Sequence, residues 1–133
     1  MLYFAYGSNL NHFQMKRRCK DSFFLKKINL KNFRLTFRSK FRAADIEKKK
    51  YSIVPGALYE ISKSDEKKLD IYEDFPILYK KYFFYYYGKK VMTYIMTNKT
   101  PFRYPTERYL NVIKKGYFDC KLNKKYLIQA LKE

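Results

Sequence analysis

An apolar run at the start of the chain ends abruptly in small and polar residues. Leu2–Ala5 has no polar break, which is typical of a strand buried on both faces. Gly7 in the following loop allows backbone geometry or close contacts that a side chain would forbid. Ser8 and Asn9 are candidate N-caps for a short helix over residues 11–20. The loop is therefore expected to present backbone N–H groups that suit an anion or an oxyanion.

Alternation of apolar and polar residues predicts the remaining strands, over residues 22–30, 32–37, 52–61, 78–88 and 90–98. Pro55-Gly56 interrupts the third of these segments and indicates a bulge or an edge position. The last two segments form a predicted hairpin that turns at Gly88. Residues 39–51 are polar and charged, and we expect them to form a mobile loop.

Three helices are predicted in the second half of the chain: one capped by Ser62 or Ser64 and ended by Pro76, one from Pro105 to a C-cap at Gly116, and one capped by Asn123. Several strands followed by late helices favour an α+β fold. The sheet is expected to be curled and largely antiparallel, or a small barrel.

Length and cysteine usage limit the class of protein. A chain of 133 residues predicts one domain, 1–133, that can bury a core without a metal or a disulfide. Cys19 and Cys120 lie far apart in sequence and form no CxxC or Cys/His cluster, so we expect a reducing, cytoplasmic environment. The chain shows no export signal and no apolar stretch long enough to span a bilayer. These features predict a soluble protein with no membrane partner.

A net charge of +18 permits two interpretations. Lysine is scattered along the chain together with many Tyr, Phe, Asn and Ile residues, as codon bias in an AT-rich genome would produce. The alternative is a surface that binds phosphates. The segment 80–90 supports this nucleic-acid alternative, because lysines flank aromatic residues on both strand faces: Phe83, Tyr85 and Tyr87 on one, Tyr82, Phe84 and Tyr86 on the other.

Glu73 is the carboxylate with the least structural justification. It follows Leu69 by four residues and so shares its helical face, at the end of the predicted helix. There the helix dipole and partial burial would both raise its pKa. The alternative is a solvated glutamate at a frayed helix end.

Four segments in the same order resemble the gamma-glutamylcyclotransferase family, which includes the AIG2-like proteins. They are YFAYGSNL at residues 3–10, VPGALYEISKSDEKKLDIYEDFPILY at 54–79, TYIMTN at 93–98 and PTERYLNVIKKGY at 105–117. The resemblance implies a small mixed, largely antiparallel β-barrel with peripheral helices. In the fourth segment this chain departs from the family pattern, because Thr106 replaces a Ser.

The resemblance implies a reaction in which the free α-amine of a γ-glutamyl group attacks its own γ-amide, releasing 5-oxoproline and an amino acid or amine. No cofactor or metal is expected. Glu73 would act as base and then acid, and backbone N–H groups around Gly7, Ser8 and Asn9 would hold a carboxylate or the oxyanion. The remaining pocket residues are tyrosines, which would supply hydroxyl donors and walls: Tyr3, Tyr6, Tyr79 and Tyr94, with Tyr109 in the tyrosine position of the fourth segment. A working base requires Glu73 to be sheltered from lysines.

Several alternatives stay open from sequence. The YGSN form is more similar to members that act on γ-glutamyl amino acids than to members that act on γ-glutamylamines, and a catalytically silent member is also possible. Asp74 stands where many members have Gly, and the unmatched segment 39–51 is a candidate determinant of selectivity. Hydrolase chemistry from Ser8, His12 and Cys19 lacks an orienting acid. The oligomeric state is not predicted.

Overall fold

The computed structural model describes residues 1–132. In chain order its elements are β1 (Leu2–Ala5), a 3-10 helix (Ser8–Leu10), α1 (His12–Arg18), β2 (Phe23–Arg38), β3 (Ala43–Glu60), α2 (Lys63–Tyr72), β4 (Tyr79–Tyr86), β5 (Lys89–Met96), α3 (Glu107–Asp119) and α4 (Lys125–Leu131). No helix within this range is long and apolar enough to cross a membrane.

The five strands form one sheet in the order β2-β3-β1-β5-β4. All neighbouring pairs are antiparallel except β1 and β5, which are parallel. This arrangement confirms the predicted α+β class and the largely antiparallel sheet. The sheet does not close into a barrel, because its edge strands β2 and β4 are not paired through their backbones. They approach each other through side chains instead, and the rings of Phe33 and Tyr82 have centroids 5.5 Å apart.

Most of the segment predicted as a mobile loop is strand, so that prediction is wrong. Only a short turn separates β2 from β3. The two acidic residues of the segment, Asp45 and Glu47, pair with basic side chains from outside it, whereas the lysines directly after Glu47 are exposed. The fully buried Asp45 carboxylate accepts hydrogen bonds from the Met96 N–H (2.9 Å) and Lys99 Nζ (2.9 Å), and it lies 3.2 Å from Arg38 Nε.

β2 is one strand where the sequence predicted two. Of the two alternatives predicted at Pro55-Gly56, the bulge is wrong, and the edge position holds on one side, because β1 pairs with β3 only as far as Ala57. The irregularities lie between Phe24 and Lys26 and between Lys31 and Phe33 instead. Gly56 is needed for close packing, since a Cβ there would lie 2.4 Å from the Ala5 carbonyl oxygen. β3 therefore runs through this position without a break.

The helix α2 forms as predicted. Ser62 caps it in a capping box with Asp65, and Glu73 occupies the C-cap position. The last helix also begins near the predicted place, with the Lys125 N–H donating to Asn123 Oδ1 (2.9 Å).

Two predicted helix ends are wrong, and both differences involve the 3-10 turn (Ser8–Leu10). Asn11, not Ser8 or Asn9, caps α1, because Ser8 and Asn9 form their own 3-10 turn. Gly116 lies inside α3 rather than at its C-cap. A Cβ at Gly116 would lie 2.5 Å from Leu10 Cβ, so the glycine lets α3 pack directly against the 3-10 turn.

Candidate active site

A cavity of about 420 Å³ opens where β1 ends and α2 ends. All nine site residues predicted from the sequence line it: Tyr3, Tyr6, Gly7, Ser8, Asn9, Glu73, Tyr79, Tyr94 and Tyr109. The structure adds further lining residues: Phe41, Ala43, Ala44, Tyr72, Asp74, Leu78 and Thr93. Residues far apart in sequence, from Tyr3 to Tyr109, thus meet at one place.

Within residues 1–132, Glu73 is one of two acidic residues that line the cavity, and its pKa is raised. Its backbone N–H donates to the Leu69 carbonyl (2.8 Å), which holds the residue at the end of α2. Burial raises the pKa of Glu73 to about 7, and the positive charge of Arg18 acts in the opposite direction. No lysine lines the cavity among the residues described, which agrees with the predicted shelter. Near neutral pH this carboxyl group can therefore both accept and donate a proton.

Arg18 ties the loop after β1 to the end of α2. Its Nη1 donates to Asn9 Oδ1 (2.5 Å) and to Ser8 Oγ (3.4 Å), and its guanidinium lies 3.5 Å from the centroid of the Tyr72 ring. The Tyr72 hydroxyl in turn lies 3.0 Å from Ser8 Oγ. These contacts hold one wall of the cavity against the element that carries Glu73.

Gly7 and the first two residues of the 3-10 turn, Ser8 and Asn9, line the cavity. Ser8 and Asn9 are buried and stand at the start of this turn, where an N–H has no acceptor within the helix. The turn is fixed from below, because the Tyr59 hydroxyl donates to the Asn9 carbonyl (2.9 Å). Rigid N–H groups of this kind can bind a carboxylate or an oxyanion.

Three of the lining tyrosines donate their hydroxyl protons to the protein itself. Tyr6 donates to the Tyr94 carbonyl (2.5 Å), Tyr79 to the Ala44 carbonyl (2.6 Å) and Tyr94 to Asp70 Oδ1 (2.6 Å). In this structure their protons are committed to protein acceptors, so of the two roles predicted for these tyrosines, hydroxyl donors and cavity walls, the geometry favours the second. They form cavity walls.

Tyr3 and Tyr109 differ from the other tyrosines. The Tyr3 hydroxyl accepts from Asn9 Nδ2 (3.0 Å), and the Tyr109 hydroxyl accepts from the Ala44 N–H (3.0 Å). Burial raises the pKa of both hydroxyls, so both keep their protons near neutral pH. These two groups can donate to a molecule in the cavity.

The family model described as gamma-glutamyl cyclotransferase, AIG2-like, matches residues 3–119. The chain belongs to this family. Among solved structures, a protein described as a gamma-glutamyl cyclotransferase has a TM-score of 0.82 at 24% identity, covering 98% of this chain and 85% of that chain. An uncharacterized human protein has a TM-score of 0.80 at 26% identity, with 97% and 85% coverage. A mouse AIG2-like protein has a TM-score of 0.56 at 20% identity, with 82% and 81% coverage. A comparison with curated proteins gives no match.

In this cyclotransferase-family chain, Asp74 occupies a position where glycine is conformationally favoured. Its φ of 52° lies in the left-handed region, which asparagine and aspartate tolerate better than most residues. Its side chain is exposed at the cavity mouth. Asp74 thus adds an exposed second carboxylate to the lining of the cavity.

The hydrolase alternative does not assemble. His12 Nε2 lies 3.4 Å from Cys120 Sγ, whereas the Ser8 hydroxyl contacts Tyr72 and Arg18. Burial raises the pKa of Cys19 to about 12, and its thiol donates to the Asp65 carbonyl (3.7 Å). These residues therefore form neither a dyad nor a triad.

Three residues that shape the chemistry of the site were not predicted from the sequence. Arg18 lies in a run of basic residues, and nothing in the sequence distinguishes it from its neighbours as a residue of the site. Phe41 belongs to the turn between β2 and β3, within the segment left unmatched. Asp70, which accepts from Tyr94, precedes Glu73 by three residues, and this helical spacing is a signal that could have identified it.

Proposed function

We propose that this protein is a gamma-glutamylcyclotransferase-type enzyme that cyclises a γ-glutamyl group to 5-oxoproline and releases an amino acid or amine. The observation that carries the proposal is Glu73, a carboxyl group with a pKa of about 7 in a cavity otherwise lined mostly by tyrosines and backbone. Family membership supports the reaction class. The cavity volume of about 420 Å³ suits a small molecule.

Glu73 performs the proton transfers in this proposal. As a carboxylate it removes a proton from the substrate α-ammonium, which frees the amine nitrogen to attack the γ-carbonyl carbon. A C–N bond forms and closes the ring, and the original amide C–N bond then breaks. Glu73 returns its proton to the leaving nitrogen, so the enzyme regains its starting state. The ring nitrogen gives up its second proton to water or to the released amine, so the products are a neutral lactam and an ammonium group. A pKa near 7 suits both steps better than an ordinary glutamate pKa of about 4.3.

The N–H groups around Gly7, Ser8 and Asn9 and the hydroxyls of Tyr3 and Tyr109 hold the substrate in the ring-closing conformation. Each of these groups can donate a hydrogen bond to the substrate carboxylate or to the oxyanion that develops on the γ-carbonyl. Because the attack is already intramolecular, fixing this conformation removes much of the remaining entropic barrier.

The leaving group, an amino acid or an amine, decides to which subclass of the family the enzyme would belong. The YGSN signature supports γ-glutamyl amino acids as substrates. Asp74 favours a second candidate, the γ-glutamylamines, because an exposed carboxylate at the cavity mouth attracts a cationic leaving amine. Phe41, also at the mouth, offers an apolar contact to either leaving group.

The test is release of 5-oxoproline from γ-glutamyl amino acids, γ-glutamylamines and glutathione. We expect turnover by the wild type and a loss of about 10²- to 10⁴-fold in kcat for Glu73→Gln, because the variant lacks the acid/base group. Glu107→Gln is the matched control, since this glutamate is exposed in the first turn of α3 and should keep full activity.

The outcomes separate the candidates. Faster turnover of γ-glutamylamines, reduced by Asp74→Asn, would identify the amine subclass. A wild type that is inert on the whole panel would indicate a catalytically silent member. Full activity in Glu73→Gln would overturn the assignment of the base.

A further inference from the structure

The edge strand β4 divides its aromatic residues between two environments. Tyr82 packs against Phe33 and Phe84 packs edge-on against Phe4, with ring centroids 5.7 Å apart in the second pair. Phe83 and Tyr85 point to the other face and are 42% and 70% exposed. The predicted division between two faces is confirmed within β4, and towards the hairpin turn only the face with Tyr82 and Phe84 packs against the core.

The exposed aromatic residues continue into the hairpin turn. Tyr87 follows β4 at a φ of 48° and is 89% exposed. We call Phe83, Tyr85 and Tyr87 the aromatic surface. Residues two apart on a strand are separated by about 7 Å, so an extended single strand can stack successive bases on Phe83 and Tyr85.

The surroundings of the aromatic surface are basic. Lys89 and Lys90 are exposed, and neither forms an ion pair within residues 1–132. Lys90 pairs with Tyr85 across the hairpin, and its Nζ lies 4.5 Å from the centroid of the Phe83 ring. The sequence contains no Asp or Glu between Asp74 and Glu107. Cations therefore flank flat aromatic rings, with no carboxylate from the hairpin itself to repel a phosphate.

We propose that the aromatic surface binds single-stranded nucleic acid, with bases stacked on Phe83 and Tyr85 and phosphates held by Lys89 and Lys90. A net charge of +18 attracts a polyanion and opposes a second copy of this chain on the same surface. The surface contains aromatic rings and no aliphatic residue, which favours base stacking over insertion into lipid. This activity is separate from the proposed cyclotransferase reaction, because the aromatic surface contains no cavity residue.

The test is fluorescence anisotropy of labelled 12-nucleotide oligouridylate and oligothymidylate, titrated with protein over a range of salt concentrations. Replacing Phe83 or Tyr85 by Ala should weaken binding by about 5- to 150-fold per lost stack, with the salt dependence unchanged. Tyr85→Phe keeps the ring and should bind like the wild type. Lys90→Gln should reduce the slope of log affinity against log salt by about 0.7.

Tyr51→Ala is the matched control. Tyr51 is also an exposed tyrosine (86%) with a lysine over its ring, since Lys50 Nζ lies 5.2 Å from its centroid, but it lies on β3. This variant should bind like the wild type, and Tyr85→Ala should keep its cyclotransferase activity. The proposal is overturned if the wild type does not bind at low salt, or if Tyr85→Ala and Tyr51→Ala bind equally well. It is also overturned if phosphatidylglycerol vesicles, rather than the oligonucleotides, show the dependence on Phe83 and Tyr85.

Discussion

At the scale of single residues, Glu73 and Arg18 have opposing influences on one proton. Burial raises the pKa of Glu73 to about 7, while the charge of Arg18 lowers it. Without burial the carboxylate would be too weak a base for an ammonium group. With burial and no nearby cation it would be protonated over more of the neutral range. The pair therefore keeps the pKa close to neutrality.

Replacing Arg18 by Met should raise the pKa of Glu73 further, because a cation that favours the carboxylate is removed. The measurement is a ¹³C NMR titration of the Glu73 carboxyl carbon, which does not depend on activity. Arg17→Met is the control, since the neighbouring Arg17 is exposed and contacts Phe13 rather than the cavity. Equal titration curves for both variants would contradict the role given to Arg18.

Tyr109 and Tyr79 offer a matched comparison, because both hydroxyls bind the backbone of Ala44. Tyr109 accepts from its N–H and keeps a proton for a ligand, whereas Tyr79 gives its proton to the Ala44 carbonyl. Each Phe variant leaves one backbone group unpaired, at a cost of about 1–3 kcal/mol in stability. Only Tyr109→Phe should also lower kcat/KM, by about tenfold or more. Steady-state kinetics showing equal kcat/KM for the two variants would contradict this assignment.

At the scale of elements, the site depends on how closely α3 approaches the 3-10 turn. Gly116→Ala would place a Cβ 2.5 Å from Leu10 Cβ and 2.7 Å from the Asn11 nitrogen. We expect a loss of about 1–3 kcal/mol in the free energy of unfolding, because backbone must move to relieve the contact. Urea unfolding measures this loss.

Gly88→Asn is the control for this prediction. A Cβ at Gly88 meets nothing within 4 Å, and asparagine tolerates its φ of 77°. The packing argument would be contradicted if Gly116→Ala lowered the free energy of unfolding no more than Gly88→Asn does.

The elements also show which predictions from sequence succeed. α2 was predictable because its Ser62 cap, acidic first turn and terminating Pro76 are all local signals. The strand within residues 39–51 could not be predicted from local signals. It depends on the neutralisation of Asp45 by Arg38 from β2 and by Lys99, which follows β5. The end of α3 was mispredicted for a similar reason: Gly116 is explained by a contact with Leu10, more than a hundred residues earlier.

At the scale of the whole molecule, a strongly basic chain encloses a cavity that no lysine lines among the residues described. The nine predicted lining residues could be identified from sequence because they fall in four recognisable segments. The hydroxyls available to a ligand could not be identified, since donor direction depends on contacts such as those of Ala44 and Asp70. The contribution of Arg18 likewise depends on tertiary proximity.

The raised pKa of Glu73 also links stability to pH. Between about pH 4.5 and 7 the native protein retains the Glu73 proton that the unfolded chain has released, so the contribution of this group to stability falls as pH rises. Glu73→Gln does not titrate, so it should have a higher free energy of unfolding than the wild type at pH 8. The difference in free energy of unfolding should be smaller at pH 5. Urea unfolding at both pH values measures the effect. An equal difference at pH 5 and pH 8 would show that Glu73 does not titrate as described.

The most direct test of the central claim is the pH dependence of kcat/KM for 5-oxoproline release. The acidic limb of this profile reports the base of the free enzyme. We expect it to have an apparent pKa of about 7 in the wild type and to disappear, with most of the activity, in Glu73→Gln. An acidic limb that keeps its position and amplitude in Glu73→Gln would contradict the account.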